Sequence, residues 1–247
     1  MKFFYSASTM GYGDGYKWHD KYAFPPFPRV TRTMTWDRKR GIPFAILLCG
    51  KSVWNRVGLS NVGFFEWLEC IINEIFDGSR ISDSLSNITV SIAGKDWQIQ
   101  NMIEHMERLE LDINGVELNY SCPNVKSFNN RFIPKTKYPL YLKLNCHQDP
   151  VVYDLDNIKG IRLNSVPSKF TGAWSGKKAQ FPNWKFIEKH CYQGLNIAGC
   201  SITSLENLKL LKNMGCTECG IGSLILTDPH LVELLKYEER KPNERVS

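Results

Sequence analysis

No apolar run in this chain reaches the length of a membrane span. The N-terminus begins Met-Lys-Phe-Phe-Tyr and turns polar by Ser6, so neither a signal-length core nor a spanning helix is expected. Low-complexity segments, linkers and short-period repeats are missing too. Histidine is scarce: the five (19, 105, 147, 190, 230) form no triad and no metal-ligand spacing, which leaves them surface or helix roles. The eight cysteines (49, 70, 122, 146, 191, 200, 216, 219) lack the regular framework of a small secreted module, and a reduced, cytoplasmic setting is expected. Cys216 and Cys219 form a C-x-x-C, but no second pair stands at ligand spacing, so no metal is expected and buried thiols near a strand are the reading. The basic clusters Arg38-Lys39-Arg40 and Lys177-Lys178 have no interleaved aromatics, which argues against a nucleic-acid groove. With a formal net charge of +6, an anionic small molecule is a sufficient partner.

What is present is enough apolar material for one sizeable core, 43% of 247 residues. A single domain over residues 1–247 is expected. Eight short β-rich runs recur, each with a polar or glycine end: Phe3–Ser6, Arg29–Thr31, Ile88–Ile92, Gly115–Leu118, Leu140–Leu144, Gly160–Leu163, Leu195–Ala198 and Glu218–Ile221. That count suggests an α/β fold, a (β/α)8 TIM barrel. Helical spacing links Phe64, Leu68, Ile71 and Ile75, and also Ile99, Ile103 and Met106 behind an expected N-cap at Asp96. A further helix is expected from about Ser204 to Met214, with Thr203 and Glu206 as a capping box and Gly215 as its stop. The stretches 124–138 and 145–159 have no such period, so one or two outer helices are expected to be shortened or missing.

Barrel enzymes work at the carboxyl ends of their strands, and small, amide and cationic groups collect there. The ends read Ala7-Ser8, Arg32-Thr33, Ala93-Gly94, Asn119 with Cys122 and Asn124, Lys143, Asn164-Ser165, Gly199 and Gly222-Ser223. Pro123 should stop strand pairing near Cys122 and leave its sulfur at a strand-to-loop corner. A thiol there can accept a proton, or it can be purely structural. The glycine pairs in Gly199-Cys200 and Gly220-Ile221-Gly222-Ser223 suit either an anion cradle or tight turns. Asn55, Asn119, Asn124 and Asn164 can hold a planar ring bearing imide groups, or serve as turn residues. Lys143 lies in a strand-like run and points either inward to a ligand or outward to solvent.

Three segments then carry a resemblance. Glu117 to Val125 reads E-L-N-Y-S-C-P-N-V, Asn55 to Gly63 reads N-R-V-G-L-S-N-V-G, and Val90 to Gly94 reads V-S-I-A-G. In these, and from Ser6 to about Leu235, the chain resembles the dihydroorotate dehydrogenases (DHODHs), FMN-dependent (β/α)8 enzymes of de novo pyrimidine synthesis. The resemblance implies oxidation of (S)-dihydroorotate to orotate, with Cys122 removing a proton from C5 while hydride passes to N5 of FMN. Asn55, Gly58, Leu59, Asn119, Asn124, Asn164 and Ser165, together with Arg32, would meet the substrate. Ala7, Ser8, Arg32, Asn119, Lys143, Asn164, Gly172, Ser175, Gly176, Gly199, Cys200, Gly222 and Ser223 would hold the cofactor. A cysteine base is similar to the soluble class, which implies a soluble acceptor such as fumarate, a homodimer and no membrane partner.

Departures are equally legible. Arg32 stands where the family has lysine, which keeps the charge and changes the hydrogen-bonding geometry. Gly199-Cys200 stands where the family has paired glycines, and the helix after the fourth run is missing. These departures leave open a related FMN reductase acting on another pyrimidine, or a flavin-binding homologue without activity.

Overall fold

The computed structural model describes residues 1–12, 15–42, 45–76, 85–121 and 131–240. Its strands are β1 (Lys2–Tyr5), β2 (Arg29–Val30), β3 (Ile46–Cys49), β4 (Ser52–Asn55), β5 (Ile88–Ile92), β6 (Gly115–Asn119), β7 (Leu140–Leu144), β8 (Ile158–Leu163), β9 (Val166–Pro167), β10 (Ala173–Gly176) and β11 (Glu218–Ile221). Seven of them form a parallel sheet in the order β11-β1-β2-β5-β6-β7-β8. The remaining edge is bridged by residues 197–199. Ile197 pairs with Ile161 and Gly199 with Cys219, through the bonds Ala198 N–H to Ile161 O and Gly220 N–H to Gly199 O, both 2.8 Å. The result is an α/β TIM-barrel fold. The run expected at Leu195–Ala198 therefore contributes bridges rather than a full strand. At its start the side-chain amide of Asn196 donates to Lys159 O at 2.7 Å, where a regular ladder would use backbone.

The two-residue period of the strands separates two interiors. In β6, Val116 and Leu118 face the helices and join one apolar cluster with Ile99, Met102, Ile103 and Met106, the buried stripe of α2 (Asp96–Arg108). Gly115, Glu117 and Asn119 alternate with them and face the barrel axis. Inside the barrel, among the described residues, Phe4, Val30 and Ala198 form a small apolar cluster with Ala7 against it, while Thr89, Ser91, Glu117, Lys143 and Arg162 are buried and polar or charged.

The outer helices are α1 (Phe64–Phe76), α2, α3 (Lys177–Tyr192), α4 (Glu206–Asn213), α5 (Leu224–Thr227) and α6 (Pro229–Arg240). The β7–β8 unit is trimmed, as the missing periodicity implied: that connection holds only the 3-10 turn Pro150–Val152. Residues 131–139, before β7, contain no helix, and the earlier part of the 124–138 stretch lies outside the described residues. Two caps differ from expectation. Asp96 is the first helical residue and Lys95 takes the cap, its N–H donating to Gln98 Oε1 at 2.9 Å. α4 begins at Glu206, and Asn207 Oδ1 accepts the Thr203 N–H at 2.9 Å, so Glu206 closes no capping box. The stop at Gly215 is in place, with φ at +95°. Among the described residues no helix is long and apolar enough to cross a membrane.

A second, antiparallel sheet runs β3-β4-β10-β9. Its hairpin β3–β4 turns at Gly50-Lys51, where Gly50 has φ +58°. Two β-rich runs around that glycine are a hairpin signal that the eight-strand reading passed over.

Candidate active site

A cavity of about 540 Å3 opens at the carboxyl ends of the barrel strands. Its floor comes from the residues ending β1, β2, β6, β7, β8 and β11, and another wall from Ile46, Val53, Asn55, Ser175 and Gly176 of the antiparallel sheet. Ala7, Ser8, Arg32, Asn55, Gly58, Leu59, Asn119, Lys143, Asn164, Ser165, Ser175, Gly176, Cys200, Gly222 and Ser223 all line it. Cys122 and Asn124 lie outside the described residues.

Gly172 and Gly199 do not reach the cavity. Gly172 lies against the Trp54 ring, and a Cβ on Gly199 would meet Leu211 of α4 at 3.0 Å.

Lys143 points inward and is 7% exposed. Its ammonium donates to Glu117 Oε1 at 3.2 Å, while Arg162 approaches Glu117 Oε2 at 3.5 Å. The Arg162 guanidinium is packed between the rings of Tyr141 and Phe4, at 3.7 and 4.2 Å from their centroids. Burial acts to raise the Glu117 pKa, but the two cations and the Ser91 hydroxyl outweigh it and hold the carboxyl below its ordinary value. Two cations share one carboxylate, so the cavity floor carries surplus positive charge, and Arg32 at its edge adds to it. An anionic ligand edge would meet that charge with little solvent screening.

The sign of the Glu117 shift predicts acid sensitivity. Its contribution to stability should be complete above about pH 4.5, the ordinary carboxyl value, and fall away as pH drops through the lower folded value. Urea midpoints measured from pH 6 to pH 3 check this, and Glu117→Gln should flatten the decline.

Asn119 ends β6 and Asn164 follows β8 directly, which brings their carboxamides to one rim. Asn119 Nδ2 donates to Thr33 Oγ1 at 2.9 Å. Asn164 Nδ2 donates to Ser121 O at 3.2 Å, and its Oδ1 accepts the Ser165 N–H at 2.9 Å. Amides held this way present fixed donors and acceptors to a flat, polar ring. Cys200 is the one thiol of the described residues that lines the cavity, and burial pushes its pKa up to about 12 against the bonds from Ser201 and Asn183. It stays a thiol at neutral pH and cannot serve there as a base.

On the β10–β11 side the wall is thinned to Ser175, Gly176, Gly222 and Ser223. Gly176 combines φ +71° with ψ −142°, a conformation nearly confined to glycine, and a Cβ there would collide with the Lys51 carbonyl. Gly176→Ala should therefore destabilise the fold by about 1–3 kcal/mol or more, read as a lower denaturation midpoint. Gly222 differs: a Cβ there would find no atom nearer than Ser6 Cβ at 3.8 Å and would project into the open cavity. It is a cradle that a side chain would fill.

Several lining or supporting residues escaped the sequence reading. Ser6, Tyr16, Trp18, Asn183 and Ser201 line the cavity, and Glu117 and Arg162 support Lys143 from below. The two-residue period could have found Glu117, since Asn119 and Glu117 must share a face of one strand. Tyr16 and Trp18 sit at the cap and in the first turn of a short 3-10 helix, Lys17–Lys21, too short for a period to mark them.

No family model matches the sequence, and neither does any curated protein. Solved structures do match. The DHODH of Eimeria tenella in complex with ferulenol superposes with a TM-score of 0.69 at 14% identity, over 97% of this chain and 82% of that one. The ligand-free type of DHODH from Eimeria tenella gives 0.65 at 15% identity, over 85% and 78%. The chain thus has the fold of the DHODH structures, with its cavity at the barrel face where such a fold carries its chemistry.

Proposed function

We propose that this chain is an FMN-dependent oxidoreductase that oxidises (S)-dihydroorotate to orotate in de novo pyrimidine synthesis. One observation carries the proposal. Asn55 and Asn119, from two segments that carry the resemblance to the DHODHs, and Lys143, Asn164 and Ser165, to which that resemblance assigns ligand contacts, line one cavity in a DHODH-like fold.

The residues fit FMN. Gly222 and Gly176 leave the wall without Cβ atoms, Ser175 and Ser223 offer hydroxyls beside them, and the Lys143 ammonium supplies charge from the floor. A cavity of about 540 Å3 is within the usual range for such ligands. FMN, when bound, supplies hydride-accepting chemistry. This chain would supply the rest. Asn55, Asn119 and Asn164 would orient the substrate ring, and Arg32 and Lys143 would attract anionic edges. Cys122 would take the C5 proton, by the resemblance of Ser121-Cys122-Pro123-Asn124 to the family motif.

Gly222→Ala tests the cofactor reading apart from folding. It should weaken FMN binding at least tenfold, measured by quenching of flavin fluorescence, while the thermal midpoint stays unchanged. Unchanged FMN affinity would contradict the cradle.

A related FMN reductase acting on another pyrimidine is the second reading, and Arg32 favours it. Its fork at the cavity edge presents a different donor geometry from the family's lysine. A screen of reduced pyrimidines that follows the oxidation state of the flavin separates the two.

A further inference from the structure

Glu117 lines no part of the cavity, yet three buried hydrogen bonds connect it to a residue that does. Ser91 Oγ donates to Glu117 Oε1 at 2.9 Å, Thr33 Oγ1 lies 2.9 Å from Ser91 Oγ, and Asn119 Nδ2 donates to Thr33 Oγ1 at 2.9 Å. All four residues are nearly or fully buried, Glu117 and Ser91 behind the cavity and Thr33 and Asn119 at its floor.

The direction of this chain is determined at its root. An ionised carboxylate only accepts, and a hydroxyl has one proton to give. Ser91 spends its proton on Glu117, so the Thr33 hydroxyl must donate to Ser91, and the Thr33 oxygen must accept from Asn119. That forces the Asn119 carboxamide to turn its nitrogen toward Thr33. Its carbonyl oxygen then faces the other way, toward the Ser121 N–H at 3.3 Å and the strand end. The same carboxylate oxygen holds the Lys143 ammonium at 3.2 Å.

We propose that Glu117 is a positioning residue that sets the hydrogen-bond polarity of the cavity floor. It fixes the orientation of the Asn119 amide through Ser91 and Thr33, and the place of the Lys143 ammonium directly. The ligand such a floor takes is a planar, anionic heterocycle that reads both groups at once, a proposal that rests on the FMN and dihydroorotate reading above. Glu117→Gln keeps the shape but adds an N–H that can donate to Ser91, so the chain can run in either direction and the Asn119 orientation is left to the long Ser121 N–H contact alone.

The test begins without ligand. Protein labelled with 15N at asparagine side chains is compared as wild type, Glu117→Gln and Ser91→Ala, with the Asn119 signal assigned by Asn119→Asp. The expected result is one dispersed Asn119 amide pair in the wild type, shifted or split in both variants, while the backbone spectrum remains folded. Ser91→Ala removes no charge, so it keeps the test open if Glu117→Gln does not fold. An unchanged Asn119 pair in folded Ser91→Ala overturns the proposal. FMN titration follows as a double-mutant cycle. The variants should each bind about tenfold more weakly, and the double variant no more weakly than the worse single. Full additivity overturns the coupling. A wild type that binds no FMN defeats the functional reading instead, and the amide signals still decide the role of Glu117.

Discussion

Cys122→Ala is expected to bind FMN as the wild type does and to reduce it with dihydroorotate about 10²- to 10⁴-fold more slowly, the range lost when a positioned general base is removed. The wall proposed for the cofactor is built from Ser175, Gly176, Gly222 and Ser223, and the charged floor from Lys143, and the substitution changes none of these residues. Because Cys200 stays protonated, no thiol lining the cavity among the described residues can take over the proton. Stopped-flow absorbance under anaerobic conditions measures the rate, and equilibrium titration measures FMN. Reduction at the wild-type rate would remove Cys122 from the mechanism. Loss of FMN would place its role in binding.

The second large effect is an asymmetry within the buried charge cluster. Glu117→Ala leaves Lys143 and Arg162 facing each other without a counter-ion, and removing one partner from such a site costs about 3–5 kcal/mol. Lys143→Met instead leaves the Glu117–Arg162 pair balanced, so its cost should be much smaller, about 1 kcal/mol. The order reverses for ligand binding. Losing the Lys143 ammonium removes the charge that lines the cavity, and FMN affinity should fall by about 10- to 100-fold, or roughly 1.4–2.8 kcal/mol. Urea unfolding and fluorescence titration on the two variants check both halves. Equal destabilisation by both substitutions would mean that the cluster does not share one carboxylate as its geometry implies.

Those charges also show what a sequence conceals. The barrel was readable because hydrophobic runs, their polar ends and α2's stripe of Ile99, Met102, Ile103 and Met106 all obey fixed periods. Asn119 and Asn164 were readable because each interrupts an apolar run where a strand must stop. Lys143 was ambiguous on spacing alone, and it resolves inward because Glu117 and Arg162, on the flanking strands β6 and β8, are positioned to pair within the barrel. Such pairing spans 26 to 45 residues of sequence and leaves no local pattern.

The antiparallel sheet was concealed differently. Gly50-Lys51 marks its first hairpin, but β10 returns from more than a hundred residues away to pair with β4. Only the folded chain brings Ser175 and Gly176 beside Asn55. Residues 197–199 stop at isolated bridges because the Asn196 side chain takes the Lys159 carbonyl, a position that regular backbone would otherwise use.

The central claim is that this cavity oxidises dihydroorotate through FMN. It is tested most directly by loading the purified protein with FMN under anaerobic conditions, adding L-dihydroorotate and following the visible absorbance of the flavin. Rapid bleaching is expected. A persistent yellow spectrum, with FMN and dihydroorotate binding both verified, would contradict it and leave a DHODH-like barrel whose chemistry lies elsewhere.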